Sequence, residues 1–171
     1  MTNMINSFLN VSRLEAGKIH LEKTIFDIEE LVKTIVDEVA VTAHHHAVDF
    51  KACNPLMVYA DYEKIGQVIN NLISNAMKYS GSGKTIEIAC RQHEAMVQLS
   101  VKDEGVGIKP QDVGRLFERY YRVENENISM VSGFGIGLYL CSEIIQRHNG
   151  HIWLESEVGR GSTFYFTIPM A

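Results

Sequence analysis

The sequence predicts an α+β fold built as a two-layer sandwich of helices and strands. Three segments repeat apolar residues at intervals of three and four positions, the pattern of an amphipathic helix, and they start near Asp27, Asp61 and Gly135. Two pairs of segments alternate apolar and polar residues, which indicates adjacent strands with one buried face. The paired segments are 85–92 with 96–102 and 150–157 with 162–169. Helices mixed with antiparallel-looking strand pairs are typical of two-layer α+β domains.

The first half of the chain is predicted to contain three helices and three short strands. In order, they are a helix over 1–16, a strand over 18–22, a helix from Asp27 to the histidines at 44–46, strands over 48–52 and 57–60, and a helix from Asp61 to Tyr79. Glu30 lies three residues after Asp27, which is the spacing of a capping box at a helix start. The first helix carries the apolar stripe Ile5, Phe8 and Leu9 and begins in the middle of its pattern, so we expect it to be the end of a longer helix.

The second half is predicted to end in two strands that follow a helix over 135–148. Before that helix come a loop at 80–83, a strand pair, a glycine-rich segment at 103–107, a short helix near Pro110 and an aperiodic stretch over 120–134. Phe117 and Trp153 are expected to anchor the core, because aromatic side chains bury a large apolar area. His148 and His151 are assigned to packing or helix capping.

Composition and charge exclude several classes of function. The 171 residues suit one domain, and 16 basic against 21 acidic residues give a net charge of −5, which argues against nucleic-acid partners. Three widely spaced cysteines predict neither disulfides nor a cysteine zinc site and suit a reducing cytoplasm. The sequence has no run of about 18 apolar residues and no secretory signal, which leaves membrane anchoring of a longer protein open. The adjacent histidines at 44–46 point apart and are interpreted as a solvated helix end, not a metal site.

Polar residues of the helix after Asp61 form a candidate binding face. At about 100° per residue, Asn71, Asn75 and Lys78 fall within about 60° of one another, beside the apolar stripe. A carboxamide oxygen can bind Mg²⁺, and an ammonium group can bind phosphate oxygens. A solvated helix face is the alternative interpretation of the same three residues.

Two glycine-rich segments are candidate ligand loops. Asp103, Gly105 and Gly107 follow a predicted strand, where glycines let the backbone approach a ligand and an aspartate can accept a hydrogen bond from an amino group. The segment 133–138 precedes a helix, whose first amide groups can cradle phosphates. Its glycines are spaced G-x-G-x-G, whereas a dinucleotide-binding fold has G-x-G-x-x-G between a strand and a helix, so a Rossmann site is disfavoured.

The asparagine pair, the Asp-Gly-Gly segment and the glycine-rich helix start occur in an order that resembles the sensor histidine kinases of two-component systems. Their ATP-binding superfamily also includes gyrase and the mismatch-repair ATPases. The matching segments are the N box at 71–80, the first glycine box at 103–107, the F box at 116–123, the second glycine box at 133–138 and the closing glycine turn at 159–164. Residues 12–17 are similar to the end of the family's second dimerisation helix. Five motifs in order, over nearly the whole chain, make the resemblance specific.

The resemblance implies a Bergerat-type fold, in which a mixed, mostly antiparallel sheet is covered on one face by about three helices. Residues 1–17 would be the remnant of the dimerisation and phosphotransfer helix, and residues 18–171 the catalytic ATP-binding domain. The implied activity is binding of Mg-ATP and transfer of the γ-phosphoryl group to a histidine of the dimerisation domain, for relay to a response-regulator aspartate. The implied partners are that dimerisation domain, in a homodimer of the full-length protein, and the cognate response regulator.

The resemblance also implies roles for individual residues. Asp103 would bind the adenine amino group with Gly105 and Gly107 beside it, Asn75 would ligate Mg²⁺, Asn71 and Lys78 would meet the phosphates, and Tyr79 would lie near the nucleotide. Gly133, Gly135, Gly137 and Leu138 would border a lid over 120–132, Arg119 or Arg122 would stabilise charge during transfer, and Thr163 would complete the nucleotide site. Phe134 departs from the family, which more often has a small residue there, and this puts the packing of the lid in question.

Two other classes of function share the pattern. ATP-hydrolysing relatives resemble this chain but carry glutamate at the position of Asn71, where it activates water, and an asparagine cannot accept a proton near neutral pH. The other alternative is a degenerate domain that serves as a binding module, and the intact Asn75, Lys78 and Asp103 count against it. Position 71 therefore favours transfer to a protein acceptor.

None of the seven histidines has the sequence context of the family's acceptor. That histidine lies on a helix and is followed by an acidic residue, two further residues, threonine or asparagine, and proline. His93 precedes Glu94, but no proline follows and the segment is a predicted hairpin. We therefore expect the acceptor to lie upstream of Met1, and we expect this chain to bind Mg-ATP without phosphorylating itself.

Overall fold

The computed structural model describes residues 20–42, 46–51, 54–123 and 135–171, and these form seven strands and four helices. In chain order the elements are β1 (Lys23–Asp27), α1 (Ile28–Thr42), β2 (Ala47–Lys51), β3 (Met57–Asp61), α2 (Tyr62–Tyr79), β4 (Thr85–His93), β5 (Met96–Asp103), α3 (Pro110–Val113), α4 (Gly137–Arg147), β6 (His151–Glu157) and β7 (Gly161–Pro169). The helix predicted over 1–16, and also Gly133 and Phe134, lie outside the described residues. Within the described ranges, no helix is long and apolar enough to cross a membrane.

A five-stranded sheet with the strand order β2-β4-β5-β7-β6 is the centre of the fold. Its neighbouring strands are antiparallel except β2 and β4, which are parallel, while β1 and β3 form a separate antiparallel ribbon. The inner face of the sheet, with Ile88 and Phe166, is buried against the helices. The outer face carries the ion pairs of Glu87 with Lys51 at 2.9 Å and with Lys102 at 3.0 Å. The predicted mixed, mostly antiparallel sheet with helices on one face is confirmed, with α3 as a fourth, one-turn helix.

The apolar stripe of α2 is buried in the centre of the core. Ile65, Ile69 and Leu72 are fully buried, at the intervals of four and three residues that predicted this helix. Burying each such side chain stabilises the fold by roughly 1.5–3 kcal/mol. Because packing fixes the rotation of α2 about its axis, Asn71 and Asn75 are held at the rim of the core and not inside it.

Aspartates determine where two of the helices start. Asp27 Oδ1 accepts hydrogen bonds from the N–H groups of Glu29 and Leu56, both at 3.0 Å, and α1 begins at the next residue, as predicted. Asp61 is the N-cap of α2 and accepts from the Lys64 N–H at 3.0 Å, which is also as predicted. An N-cap of this kind contributes about 1 kcal/mol. Since Asp27 also accepts from Leu56, just before β3, the same carboxylate links the start of α1 to a segment that is distant in sequence.

The first described strand is displaced from its predicted position. Residues 20–22 belong to no strand, and β1 instead runs over Lys23–Asp27, where each residue pairs with one of β3. Apolar and polar residues alternate over 18–22, but this local pattern does not decide which residues become a strand. The hydrogen bonds to the partner strand β3 decide it. The other predicted strands and the helices of the described ranges agree with the structure to within a few residues at each end.

Trp153 lies on the outer face of the sheet, so the prediction that it anchors the core is wrong. Alternation along β6 gives the inner positions to Ile152 and Leu154, which are buried. The Trp153 ring stacks between His151 and Tyr165, with ring centroids 5.5 and 5.2 Å away. Its apolar area is therefore covered by other aromatic rings and not by the helices.

Candidate functional site

The second half of α2 presents two carboxamides at the rim of the core. Asn71 and Asn75 are one helical turn apart, and the Nδ2 of Asn75 donates to the Oδ1 of Asn71 at 3.2 Å. Both residues are half-buried, whereas Lys78 and Tyr79, in the last turn of the helix, are exposed. Since Asn75 uses its amide nitrogen in this hydrogen bond, its carbonyl oxygen stays outside the contact and can serve a ligand.

Asp103 is a buried carboxylate at the end of β5, with an exposed fraction of 4%. Its Oδ1 accepts hydrogen bonds from the N–H groups of Gly105 at 2.8 Å and Ser162 at 3.3 Å. Burial raises the pKa of the Asp103 carboxyl, and the two hydrogen bonds oppose this effect in part. No ion pair reaches it from the part of the chain that the structure describes. A buried carboxylate without a cation is a candidate acceptor for a donor group of a ligand.

Backbone packing holds Asp103 close to the end of α2. Ser80, directly after the helix, forms an isolated antiparallel bridge with Gly105. A Cβ atom at Gly105 would lie 2.5 Å from the carbonyl oxygen of Tyr79 and 2.7 Å from Asp103 Oδ1, so a side chain does not fit there. The sequence suggested that this glycine makes room for a ligand. The structure shows that it makes room for another part of the chain.

The first turn of α4 lies against Asn71. A Cβ atom at Gly137 would be 2.7 Å from the Nδ2 and 3.0 Å from the Oδ1 of Asn71, so a larger residue at this position would displace the Asn71 carboxamide. The N-cap residue, Ile136, provides no side-chain hydrogen bond to this turn. The positive end of the helix dipole therefore lies beside the asparagine pair. Leu138, the next residue, is partly buried and packs against the core.

Backbone hydrogen bonding connects the F box to the segment before α4. The N–H of Tyr120 donates to the carbonyl oxygen of Gly135 at 2.9 Å, and Tyr120 has a φ of +63°. The Arg119 guanidinium lies over the Tyr120 ring, 4.6 Å from its centroid, and its Nη2 donates to the Tyr120 hydroxyl at 2.7 Å. Arg122 is exposed. The predicted role of either arginine in charge stabilisation stays a prediction.

The closing glycine turn brings Ser162, and not Thr163, beside Asp103. In the register between β5 and β7, Asp103 pairs with Ser162 and Lys102 pairs with Thr163. Because neighbouring residues of a strand face opposite sides, Ser162 shares the face of Asp103, while Thr163 lies with Lys102 on the outer face. Ser162 is therefore the residue of this turn that lies beside Asp103, and the predicted role of Thr163 in nucleotide binding stays a prediction. The buried Phe164, two residues after Ser162 and therefore on the same face, was the signal in the sequence.

Ser156 is a residue of the site region that the sequence did not indicate. Its hydroxyl donates to the carbonyl oxygen of Gly161 at 3.0 Å and accepts from the N–H of Ile108 at 2.8 Å. The Oγ of Ser162 lies 2.9 Å from the Oγ of Ser156. Since Ser156 has a single hydroxyl proton and gives it to Gly161, Ser162 is the donor in this last contact. Because the Ser162 hydroxyl points its proton at Ser156, its lone pairs face away from Ser156 and can accept a hydrogen bond.

The site therefore has two chemically different ends along α2. Asp103 lies beside Tyr79 at the end of the helix, and the first turn of α4 lies against Asn71, eight residues earlier. Eight residues of helix span about 12 Å. One end offers a buried hydrogen-bond acceptor, and the other offers amide groups and the positive end of a helix, which suits an anion. An α+β sandwich with this arrangement at its rim is a nucleotide-binding domain.

Comparisons with known proteins agree with this class. Residues 60–171 match the family described as Histidine kinase-, DNA gyrase B-, and HSP90-like ATPase. The chain is 36% identical to the sensor histidine kinase WalK of Bacillus subtilis over 174 residues, which cover 99% of this chain and 28% of WalK. It is 31% identical to the sensor protein SrrB of Staphylococcus aureus over 175 residues, which cover 99% of this chain and 29% of SrrB. The chain thus spans less than a third of the length of these relatives.

Two solved structures have the same fold. Full-length ShkA in complex with AMPPNP superposes with a TM-score of 0.82 and 25% identity, over 99% of this chain and 35% of that one. Histidine kinase ThkA in complex with the response regulator TrrA gives a TM-score of 0.76 and 25% identity, over 99% of this chain and 49% of that one. The chain belongs to the Histidine kinase-, DNA gyrase B-, and HSP90-like ATPase family, and it is an ATP-binding catalytic domain of the sensor histidine kinase type.

Proposed function

We propose that the chain binds Mg-ATP and transfers the γ-phosphoryl group to a histidine of a dimerisation domain, for relay to an aspartate of a response regulator. The observation that carries this proposal is that the two ends of the site along α2 suit different chemical groups, a hydrogen-bond donor at one end and an anion at the other. The adenine amino group is a donor that suits the buried Asp103, and a triphosphate suits the anion-binding end at Gly137 and Asn71. The solved ShkA complex contains AMPPNP, which supports ATP as the ligand.

The residues at the rim fit a magnesium ion that arrives with the nucleotide. Mg²⁺ prefers oxygen ligands and is commonly held by one or two protein groups together with substrate phosphates and waters. The carbonyl oxygen of Asn75 is such a group, because the hydrogen bond to Asn71 uses the amide nitrogen. In the described ranges, no three His, Cys, Asp or Glu side chains come together in a way that could hold a metal without the nucleotide. A bound Mg²⁺ would neutralise charge on the phosphates.

Asn71 favours phosphoryl transfer over hydrolysis. A hydrolysing enzyme needs a group that takes a proton from water, and a carboxamide cannot do so near neutral pH. The Oδ1 of Asn71 also already accepts a hydrogen bond from Asn75 at 3.2 Å. Its carboxamide is therefore suited to hold a phosphate oxygen with its Nδ2 group and unsuited to activate water.

Phosphoryl transfer depends mainly on positioning and on stabilising charge. We assign Lys78 to the phosphates, because it follows Asn75 by three residues and so lies on the same side of α2. We assign Arg119 or Arg122 to the charge that develops on the transferred group. The contact of Arg119 with Tyr120 supports this assignment. The N–H of Tyr120 binds the carbonyl oxygen of Gly135, just before the first turn of α4, so the Arg119 guanidinium is held near the end of the site that suits the phosphates.

The larger protein would supply the acceptor. We propose that residues 18–171 are the catalytic domain and that 1–17 end a dimerisation helix, with the acceptor histidine further upstream in a homodimer. The ThkA structure holds its response regulator TrrA, and we propose a cognate regulator for this chain by analogy. Since ATP is a cytoplasmic substrate, we place this domain in the cytoplasm, in a protein that is either free there or anchored in the inner membrane.

Nucleotide binding is tested by calorimetric titration of the chain with AMPPNP in the presence and absence of Mg²⁺. We expect one site per chain and tighter binding with Mg²⁺. The Asn75→Asp variant, which adds a charge but keeps an oxygen ligand, and Asn75→Leu, which removes the ligand, form a matched pair. Only the second should abolish the effect of Mg²⁺ on affinity. A chain that binds no AMPPNP would contradict the proposal and favour a degenerate module.

Transfer is tested by incubating the chain with ATP labelled on the γ-phosphate. Alone, the chain should form no acid-labile phosphohistidine and release little phosphate. With a purified dimerisation domain added in trans, label should appear on that domain. Steady release of phosphate by the chain alone would support the hydrolysing alternative, and label on the chain itself would contradict the assignment of the acceptor to another segment.

A further inference from the structure

Helix α4 contacts α2 at both of its own ends, once near the middle of α2 and once at the start of α2. At one end Gly137, in the first turn of α4, packs against Asn71. At the other end His148, the C-cap of α4, accepts a hydrogen bond at its Nε2 from the N–H of Asp61, the N-cap of α2, at 2.9 Å. Because the start of each helix lies near the later part of the other, the two helices run antiparallel.

The two contacts match in their spacing along the helices. Asn71 follows Asp61 by ten residues, and His148 follows Gly137 by eleven residues. At about 1.5 Å per residue these segments span roughly 15 and 16 Å. A shift of α4 along α2 by one residue would break the hydrogen bond at one end and separate Gly137 from Asn71 at the other. The hydrogen bond of His148 therefore sets the axial position of α4.

The proton of His148 is held in one place. The ring is buried, with an exposed fraction of 1%, and its Nδ1 lies 2.8 Å from the carbonyl oxygen of Ile144. A carbonyl oxygen can only accept, so Nδ1 carries the hydrogen and Nε2 is left as the acceptor that Asp61 requires. Burial also lowers the pKa of His148, which keeps the ring neutral.

Asp61 joins further segments to the same contact. Its Oδ1 caps α2 through Lys64, and its Oδ2 accepts from the N–H of Glu22 at 2.8 Å. Lys23, the next residue, donates from its Nζ to the carbonyl oxygen of Arg147 at 3.2 Å. The chain that enters β1, the start of α2 and the end of α4 thus meet at one point, remote from the rim where the nucleotide would bind.

We propose that His148 is a positioning residue for the nucleotide site: by binding the Asp61 N–H it holds the first turn of α4 against Asn71. This inference rests on the proposed function, since the nucleotide is the ligand that needs the first turn of α4. Without the contact, α4 occupies the binding-competent position for only part of the time. The apparent dissociation constant then rises in inverse proportion to that fraction.

Two substitutions separate the hydrogen bonds of His148. His148→Asn places an amide nitrogen where Nδ1 was, three bonds from Cα, and so keeps the bond to Ile144 but does not reach Asp61. His148→Gln places an amide oxygen where Nε2 was, four bonds from Cα, and so keeps the bond from Asp61 but loses the bond to Ile144. Each variant loses one buried hydrogen bond, and we expect similar decreases in melting temperature for the two.

Nucleotide affinity distinguishes positioning from a merely structural role. With AMPPNP and Mg²⁺ as the probe, we expect His148→Asn to bind about fivefold more weakly than the wild type, the factor that one net hydrogen bond is typically worth. His148→Gln should bind within about twofold of the wild type. Equal affinities in the two variants would overturn the inference, because affinity would then not depend on which bond is kept.

A measurement on the unmodified chain gives an independent test. Coupling between two sites is reciprocal, so a nucleotide that needs the contact must also strengthen it. We expect saturating AMPPNP to slow hydrogen exchange of the Asp61 amide by about the same fivefold factor. An unchanged exchange rate would overturn the inference even if the His148 variants fail to fold. If the wild type binds no AMPPNP at all, the proposed function fails and the positioning role, which rests on it, fails with it; normal AMPPNP binding with an unchanged exchange rate overturns the positioning role alone.

Discussion

Replacing Asp103 by asparagine separates two tasks of this side chain, which are holding the glycine-rich loop and binding the base. Asp103 Oδ1 accepts from the N–H groups of Gly105 and Ser162 at 2.8 and 3.3 Å, and in Asp103→Asn the remaining carbonyl oxygen can keep both hydrogen bonds. The second oxygen becomes an NH₂ group, which places a donor opposite the donor amino group of adenine. A hydrogen bond to a charged group contributes about 1.5–3 kcal/mol. We therefore expect ATP to bind roughly 10 to 150 times more weakly.

The same substitution should leave the fold intact. Burial raises the pKa of Asp103, which means that the charged form is disfavoured inside the protein, and a neutral amide avoids this cost. We expect the melting temperature to stay the same or to rise. Asp103→Ala is the matched control, because it leaves the N–H groups of Gly105 and Ser162 without their acceptor. At about 1–3 kcal/mol for each group, its melting temperature should fall by several degrees.

Calorimetric titration with AMPPNP and with a non-hydrolysable GTP analogue, both with Mg²⁺, measures the effect on each base. The new NH₂ group of Asp103→Asn can donate to the guanine carbonyl oxygen, so the preference for adenine over guanine should fall together with the affinity for AMPPNP. Unchanged AMPPNP binding by the folded variant would refute the adenine contact. Equal weakening for both nucleotides would also refute it, since the loss would then come from distortion of the loop.

Three further predictions test other parts of the molecule. Ser162→Ala should weaken AMPPNP binding several-fold, because Ser162 lies on the same face of the sheet as Asp103. Thr163→Ala, on the outer face, should leave the affinity unchanged, and calorimetry on both variants measures the difference. Gly137→Ala should push the Asn71 carboxamide off its rotamer at roughly 0.5–1.5 kcal/mol, which should lower the melting temperature by a few degrees. Because the displaced carboxamide no longer meets the phosphates, AMPPNP binding should weaken about two- to tenfold in calorimetry, and wild-type affinity would contradict the contact. The free energy of unfolding should fall as the pH drops below about 6.5, because folded His148 has a lowered pKa and the unfolded chain takes up the proton first. Urea titrations between about pH 7.5 and 5.5 should show a loss of at most about 1.4 kcal/mol per pH unit from this residue, absent in His148→Gln.

Local patterns predicted most of the secondary structure. The caps at Asp27 and Asp61 and the apolar spacing of α2 are properties of a few consecutive residues, and they agree with the structure. The same periodicity placed Asn71 and Asn75 together at the edge of the core, and the structure joins them by a hydrogen bond. These features were predictable because a helix determines its own geometry over short distances.

Features that depend on strand pairing were not predictable in this way. The position of β1 and the placement of Ser162 beside Asp103 follow from which residues lie opposite in a neighbouring strand, and the outer location of Trp153 follows from which face of the sheet packs on the helices. The paired residues are far apart in sequence, by 30 to 38 residues between β1 and β3 and by 59 between Asp103 and Ser162. A displacement of one residue in the pairing turns every side chain to the other face. Alternation alone indicated a strand but did not decide which face meets the helices.

By itself, the sequence determined the helices, the glycine-rich segments and the resemblance that indicates an ATP-binding kinase domain. Tertiary structure decided how these parts form one site. It showed that Gly105 makes room for the backbone of Tyr79 and that Gly137 makes room for Asn71. It also placed the buried His148 on Asp61, at the far end of the two helices that carry the site. Such contacts join residues that are remote along the chain, and their distances exist only once the core has packed.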